Sequence, residues 1–257
     1  MTGRLPGTRF QDKWTSRQLK AMARYHLGIA KHLFIHIPKN GGMTIRNSAV
    51  LRKRLVFADP YFHISPAYTR ELAEVMAAGG YHHGNQHARL IDIHPTVRAK
   101  LQPVAIVRNP WKRTFSRFTY LMKAHKEAGE PVDYSPESFE RFLEQRHEFG
   151  GRKFYWHRAI AGWYPQVDYV QDETGTVACD ILRLEALDAD VAAYFGVTNL
   201  RRKNDSGTAS TSYAEVYTDR TIQIVADWYA RDIETFGFDF IGGAQRNTLF
   251  GTQTHGA

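Results

Sequence analysis

Apolar residues fall in a few short, nearly unbroken runs set between longer stretches where they recur every three or four positions. His32-Leu-Phe-Ile-His-Ile37 is one such run, ended by Pro38, and Pro103-Val-Ala-Ile-Val-Arg108 is another, ended by Asn109-Pro110. Runs of this length stopped by proline predict strands buried on both faces. Residues 166–171 and 177–184 also read as strands, joined by a turn at Asp172-Glu-Thr-Gly175. Helical spacing predicts helices over 43–55, 66–78, 111–127, 187–195 and 218–236. Another begins at Ser135-Pro136, serine as cap and proline in the first turn, and ends before Gly150-Gly151. Strands alternating with helices predict an α/β domain with a central parallel sheet covered on both faces.

The remaining stretches divide the chain. Residues 1–30 form a polar lead-in, helical in part from 16 to 27. Residues 31–241 make up one domain, and residues 242–257 read as a frayed tail. At 257 residues and 43% hydrophobic, the chain can bury a core. Its formal net charge of +8 suits a polyanionic ligand, a nucleic acid or an anionic membrane surface, and charge alone does not choose among them. The basic residues are spread rather than gathered in runs, which favours a concave anion site over a nucleic-acid tail. A single cysteine, Cys179, excludes an intrachain disulfide. The basic first thirty residues lack an apolar core, and no run of about 18 apolar residues follows. A cytoplasmic protein without signal peptide or membrane span is the expectation.

Two segments carry chemistry. After the first strand, Pro38-Lys-Asn-Gly-Gly-Met-Thr44 leads into a helix. Glycines let backbone approach a ligand, the first helical amides point at anionic oxygens, Thr44 adds a hydroxyl, and Lys39 supplies a point charge. A Walker A loop needs lysine and Ser/Thr directly after its second glycine, whereas here the lysine precedes both. An ordinary turn with a solvated lysine is the plain alternative. After the second strand, Arg108-Asn-Pro-Trp-Lys-Arg-Thr-Phe-Ser116 repeats the architecture. Arg108 offers a planar fork for a phosphate monoester and Ser116 a hydroxyl nearby, while Arg113 either anchors the turn or binds. A helix cap with surface basic residues is the alternative here.

Taken together, "FIHIPKNGGMTI" and "IVRNPWKRTFSRF" resemble the 5′-phosphosulfate and 3′-phosphate motifs of sulfotransferases that use 3′-phosphoadenosine 5′-phosphosulfate (PAPS). The likeness is to the carbohydrate and bacterial group that includes heparan 2-O-sulfotransferases. It continues more weakly in "PQVDYVQDETGTVACDILRLEAL" and "RKNDS", and covers roughly residues 32–240. The resemblance implies a P-loop-like three-layer domain and PAPS as donor, and because a sulfuryl group carries less charge than a phosphoryl group no metal is expected. It also implies that Lys39, Asn40, Gly41, Gly42, Met43, Thr44 and Ile45 cradle the 5′ end, and that Arg108 and Ser116 hold the 3′-phosphate. Met43 stands where the family usually has threonine or serine, which puts one hydroxyl contact in question.

Sulfuryl transfer to a hydroxyl needs a base, and histidine titrates in the right range. The family's His-x-His pair aligns with His83-Gly84-Asn85, so the second histidine is missing and His87, two residues on, is the substitute. His83, His87 and an unrecognised carboxylate all stay open as the base. A zinc site at His82, His83 and His87 lacks a completing ligand. Phe154, Tyr155, Trp156, Trp163 and Tyr164 read as core or as an acceptor-stacking surface. The resulting expectation is a sulfotransferase with Lys39 at the cleaved bond, acting on a saccharide or glycolipid hydroxyl. A basic polyanion-binding module and a nucleotide kinase are the alternatives. A nucleic-acid partner is not expected, and peripheral membrane contact stays open.

Overall fold

The computed structural model describes residues 16–57, 62–78, 87–149, 163–200 and 212–250. In chain order the helix α1 (Ser16–His26) leads to β1 (His32–Ile35), α2 (Gly42–Asn47), α3 (Leu51–Arg54) and β2 (Leu55–Phe57). Then come α4 (Pro66–Ala78), a 3₁₀ turn over Leu90–Asp92, α5 (Pro95–Lys100), β3 (Gln102–Val107), α6 (Pro110–Ala128) and α7 (Pro136–Phe149). The chain continues through α8 (Val167–Val170), β4 (Asp180–Arg183), α9 (Leu187–Phe195), α10 (Tyr213–Val216), α11 (Asp219–Trp228) and α12 (Ala230–Phe236).

The four strands form one parallel sheet in the order β2-β1-β3-β4, with Leu33 opposite Val56, Phe34 opposite Val104 and Ile106 opposite Leu182. Strand side chains alternate between faces. Leu33, Ile35, Ala105, Val107 and Ile181 pack with Trp111 and Phe118 of α6 and Phe139 of α7 on one side. Phe34, Val104, Ile106 and Leu182 pack with Ile45 of α2 and with Leu187, Val191 and Phe195 of α9 on the other. These two cores make the three layers, as the apolar runs predict. Among the described residues, no helix is long and apolar enough to cross a membrane.

Three predicted elements differ. The helix expected over 43–55 breaks at Ser48, which is extended at ψ 117° and whose hydroxyl accepts from Leu51 N–H at 3.3 Å. The apolar Leu55-Val-Phe57 then pairs with β1 as a strand. Residues 166–171 are not a strand but the single turn α8, because the buried Asp232 carboxylate accepts from the amides of Gln166 (2.9 Å) and Val167 (2.8 Å) and closes a helix start there. The long helix over 218–236 breaks at Tyr229. The stretch 242–250, expected to fray, is tied down: Gln245 N–H donates to Phe236 (2.7 Å) and Leu249 N–H to Ile181 (3.1 Å).

Candidate functional site

The chain leaves β1 towards β2 on one side and returns to β3 on the other, so the order of strands reverses between β1 and β3. Open parallel sheets bind ligands outside the carboxyl ends of the strands at such a switch point. The two segments singled out from the sequence start there, one from each of these adjacent strands.

In the first, Lys39 itself has φ 67°, in the left-handed region where a side chain costs about 1 kcal/mol. Gly41 follows at φ 74°, and a Cβ there would sit 2.6 Å from Leu184. Gly42 lies against the His36 imidazole, which an added Cβ would meet at 2.0 Å. The turn therefore needs glycine at both positions. Helix α2 is only six residues long and Gly41 gives it no side-chain cap. The Thr44 amide is already committed to Gly41 carbonyl at 2.9 Å. Charge at this loop thus comes from side chains more than from the helix. Lys39 Nζ stands 4.4 Å from the centre of the Tyr120 ring on α6. Burial first, and then the positive charges of Arg108, Arg117 and Lys123, lower its pKa to about 8.

The other expected residues of this loop divide by burial. Asn40 turns inward, donating to Ile106 carbonyl (2.8 Å) and to Gln166 Oε1 (2.6 Å). Ile45 is buried in the core beside α9, Thr44 is buried as well, and Met43 is exposed. Asn40 and Ile45 therefore shape the loop from beneath, and their side chains are not presented to a ligand.

The second loop is built differently. Asn109 caps α6, its Oδ1 accepting from Trp111 N–H (3.0 Å) and Lys112 N–H (3.2 Å), and Pro110 opens the helix. Its Nδ2 donates to the carbonyls of Asp239 (2.8 Å) and Gly242 (2.7 Å), while its backbone N–H donates to Glu185 Oε1 at 2.9 Å. Arg108 reaches across to the first loop, Nη1 donating to Lys39 carbonyl at 3.1 Å. Arg113 is the anchor: Nε donates to Pro38 carbonyl (3.1 Å) and Nη1 to Tyr164 carbonyl (3.0 Å). Ser116 lies two turns into α6 and is nearly buried.

Gln166 joins the loops. Its Oε1 accepts from Asn40 Nδ2 and from Arg108 N–H (2.9 Å), and its Nε2 donates to Arg108 carbonyl (2.8 Å) and Asp232 (3.2 Å). Sequence reasoning gave Gln166 no role, although Pro165-Gln166 belongs to the weaker part of the resemblance. Tyr120 was also missed, and its only signal is a position one turn beyond Ser116.

No family model, curated protein or solved structure matches the chain. Lys39, Arg108, Arg113 and Arg117 cluster around the switch point. Arg113, fully buried, has its pKa lowered to about 10 by burial and by Arg117. Among the described residues, Nη2 of Arg113 and Nε and Nη2 of Arg117 meet no hydrogen-bond acceptor. Glu185 acts on Arg108 and Asp232 on Arg113. Four basic side chains gathered at this end of the sheet among the described residues favour an anion carrying several charges.

His87 does not sit as a general base should. It is buried, its Nδ1–H donates to His36 carbonyl at 2.8 Å, and its ring packs 4.6 Å from that of His36. Burial lowers its pKa to about 4 and holds His36 far below the usual range. The two imidazoles form a neutral floor under Gly42. His82 and His83 lie outside the described residues, as do Phe154, Tyr155, Trp156 and the "RKNDS" segment. Trp163 is core, packed on Phe142 and Trp228. Among the described residues, no group of three or more His, Cys, Asp or Glu is placed to hold a metal. A cavity of about 390 Å³ between α6 and α7, lined by Phe118, Met122, Asp133 and Arg141, includes none of the residues of the two loops.

Proposed function

We propose that this chain is a sulfotransferase that takes a sulfuryl group from PAPS and passes it to a hydroxyl, with a saccharide or glycolipid as the acceptor class. One observation carries the reading. The lysine of the first loop and the arginine of the second meet at the switch point between β1 and β3, tied by Arg108 to Lys39 carbonyl. A donor with a charged group at each end of one nucleoside fits two linked cation sites better than a single phosphate does.

In this reading Arg108 and Ser116 bind the 3′-phosphate. They do so through side chains, since the amides at the start of α6 are taken by Asn109. Lys39 sits at the 5′ end. The acceptor oxygen bonds to sulfur as the bond from sulfur to the 5′-phosphate oxygen breaks, and the Lys39 ammonium stabilises the charge growing on that leaving oxygen. A pKa near 8 keeps Lys39 protonated at neutral pH and close enough to titration to share its proton. The burial and weak basicity of His87 argue against it as the acceptor of the hydroxyl proton, which leaves His83 or a carboxylate for that step.

The test is thermal shift followed by turnover. 3′-Phosphoadenosine 5′-phosphate should raise the melting temperature where ATP with magnesium does not. Labelled PAPS offered with a panel of glycans, glycolipids and small alcohols should then yield a sulfate ester by mass spectrometry. Stabilisation by ATP–magnesium alone would replace the reading with a kinase. Equal, salt-sensitive stabilisation by any polyanion would replace it with a polyanion-binding module.

A further inference from the structure

A separate feature occupies the opposite pole of the sheet, where β1 and β2 begin. There Lys31 N–H donates to Arg54 carbonyl at 3.2 Å, and the amides of Ile29 and Ala30 fold back on Arg24 carbonyl. The end of α1, the 27–31 connection and α3 consequently lie side by side. Helix α1 turns Tyr25 into the core and presents Leu19 to solvent at 52% exposed, with Leu27 and Ile29 just beyond its end at 73% and 54%. Leu19, Ala23 and Leu27 follow at intervals of four, one stripe on a helix face. Lys20 on the same helix, Lys31 in the connection, and Arg52 and Lys53 on the adjoining α3 are all exposed.

Between Asp12 and Asp59 the chain carries ten Lys and Arg and no carboxylate, which concentrates the net charge in this part of the sequence. Arg24 and Arg52 lie close enough to repel one another. Asp180 at the start of β4, which acts on His32, accepts from the Tyr194 hydroxyl at 2.5 Å. Positive charge here would suit any polyanion, but a nucleic acid or a sulfated glycan leaves three aliphatic side chains in water. A bilayer with anionic headgroups satisfies both, with an acyl boundary for the aliphatics and headgroup charge for the ammonium and guanidinium groups.

We propose that this face docks on an anionic lipid surface, Leu19, Leu27 and Ile29 entering the headgroup boundary while Lys20, Lys31, Arg52 and Lys53 engage the lipid charge. The assignment is independent of the sulfotransferase reading. It directs the carboxyl ends of the strands, and with them the candidate site, away from the bilayer.

Sedimentation of the full chain with vesicles tests it. The protein should pellet with phosphatidylcholine vesicles holding about 30% phosphatidylserine and not with phosphatidylcholine alone. Raising the salt to roughly 0.5 M should weaken the binding. Leu27→Glu with Ile29→Glu should lower partitioning at least ~10-fold. Lys31→Glu with Lys53→Glu should do the same by charge, each double variant keeping the parent's circular-dichroism melting curve. Equal pelleting with both vesicles, or binding that survives both double variants, would overturn the proposal. So would a dimer in light scattering that these variants dissolve, or duplex DNA binding tighter than vesicle binding and unaffected by Leu27→Glu with Ile29→Glu.

Discussion

The loops after β1 and β3 share a plan, a buried strand running through a tight turn into a helix, yet they are held by opposite means. The β1 loop is strained and thinly capped: Lys39 and Gly41 are both left-handed, α2 lasts six residues, and two neutral histidines lie beneath it. The β3 loop is capped and braced, with Asn109 filling the start of a 19-residue helix and hydrogen-bonding to two other segments, at Glu185 and over 239–242. Strain of this kind persists only where neighbours over-determine it, and it gathers at functional sites. In the proposed reading, the contrast fits the reacting end of the donor to the first loop and rigid anchorage to the second.

The largest expected effect tests that division directly. Lys39→Ala should reduce PAPS turnover at least ~100-fold, and wild-type-like rates would end the assignment. Turnover should also fall by about tenfold per pH unit above 8, because the lowered pKa of Lys39 removes its charge there. In Lys39→Arg that alkaline limb should disappear from the profile even if the rate is lower.

Stability sharpens the contrast next. Gln166→Leu leaves buried partners in both loops unmet and should cost about 1–3 kcal/mol in urea unfolding. Acid should weaken the floor of the first loop, as it should the buried His63 elsewhere in the core. His36 and His87 have lowered folded-state pKa values, so the unfolded chain binds more protons, and stability is present above pH 6.5 and drains as pH falls towards about 4. Urea midpoints measured at pH 7 and pH 5 should show this loss, and His87→Phe should reduce it. Asn109→Ala should cost about 1–2 kcal/mol through the lost cap. The smallest effect belongs to Lys39→Gly, which relieves the left-handed strain. It should match or exceed the parent's stability by about 1 kcal/mol while remaining inactive.

Much of this was legible in local pattern. The strands β1 and β3 follow from apolar runs stopped by proline, and Ser135-Pro136 marks the start of α7. What was not legible depends on partners far along the chain. Residues 166–171 alternate well enough to read as a strand, and only Asp232, more than sixty positions away, makes them a helical turn. Asn40 reads as a ligand-facing loop residue because nothing nearby announces Gln166. His87 reads as a base because sequence carries no measure of burial. The residues that lend charge were found by motif, and those that hold them in place were not.

The amide of Asn109 has a consequence for the order in which the molecule is assembled. Its nitrogen donates to carbonyls at 239 and 242, and the backbone N–H beside it waits for Glu185. During vectorial synthesis β1, its loop and β3 leave the ribosome long before those acceptors exist. A nascent chain arrested before residue 239 would hold the strained half of the site without the brace for the other half. Nucleotide retention by arrested chains should therefore switch on late, once the segment around Gly242 has emerged.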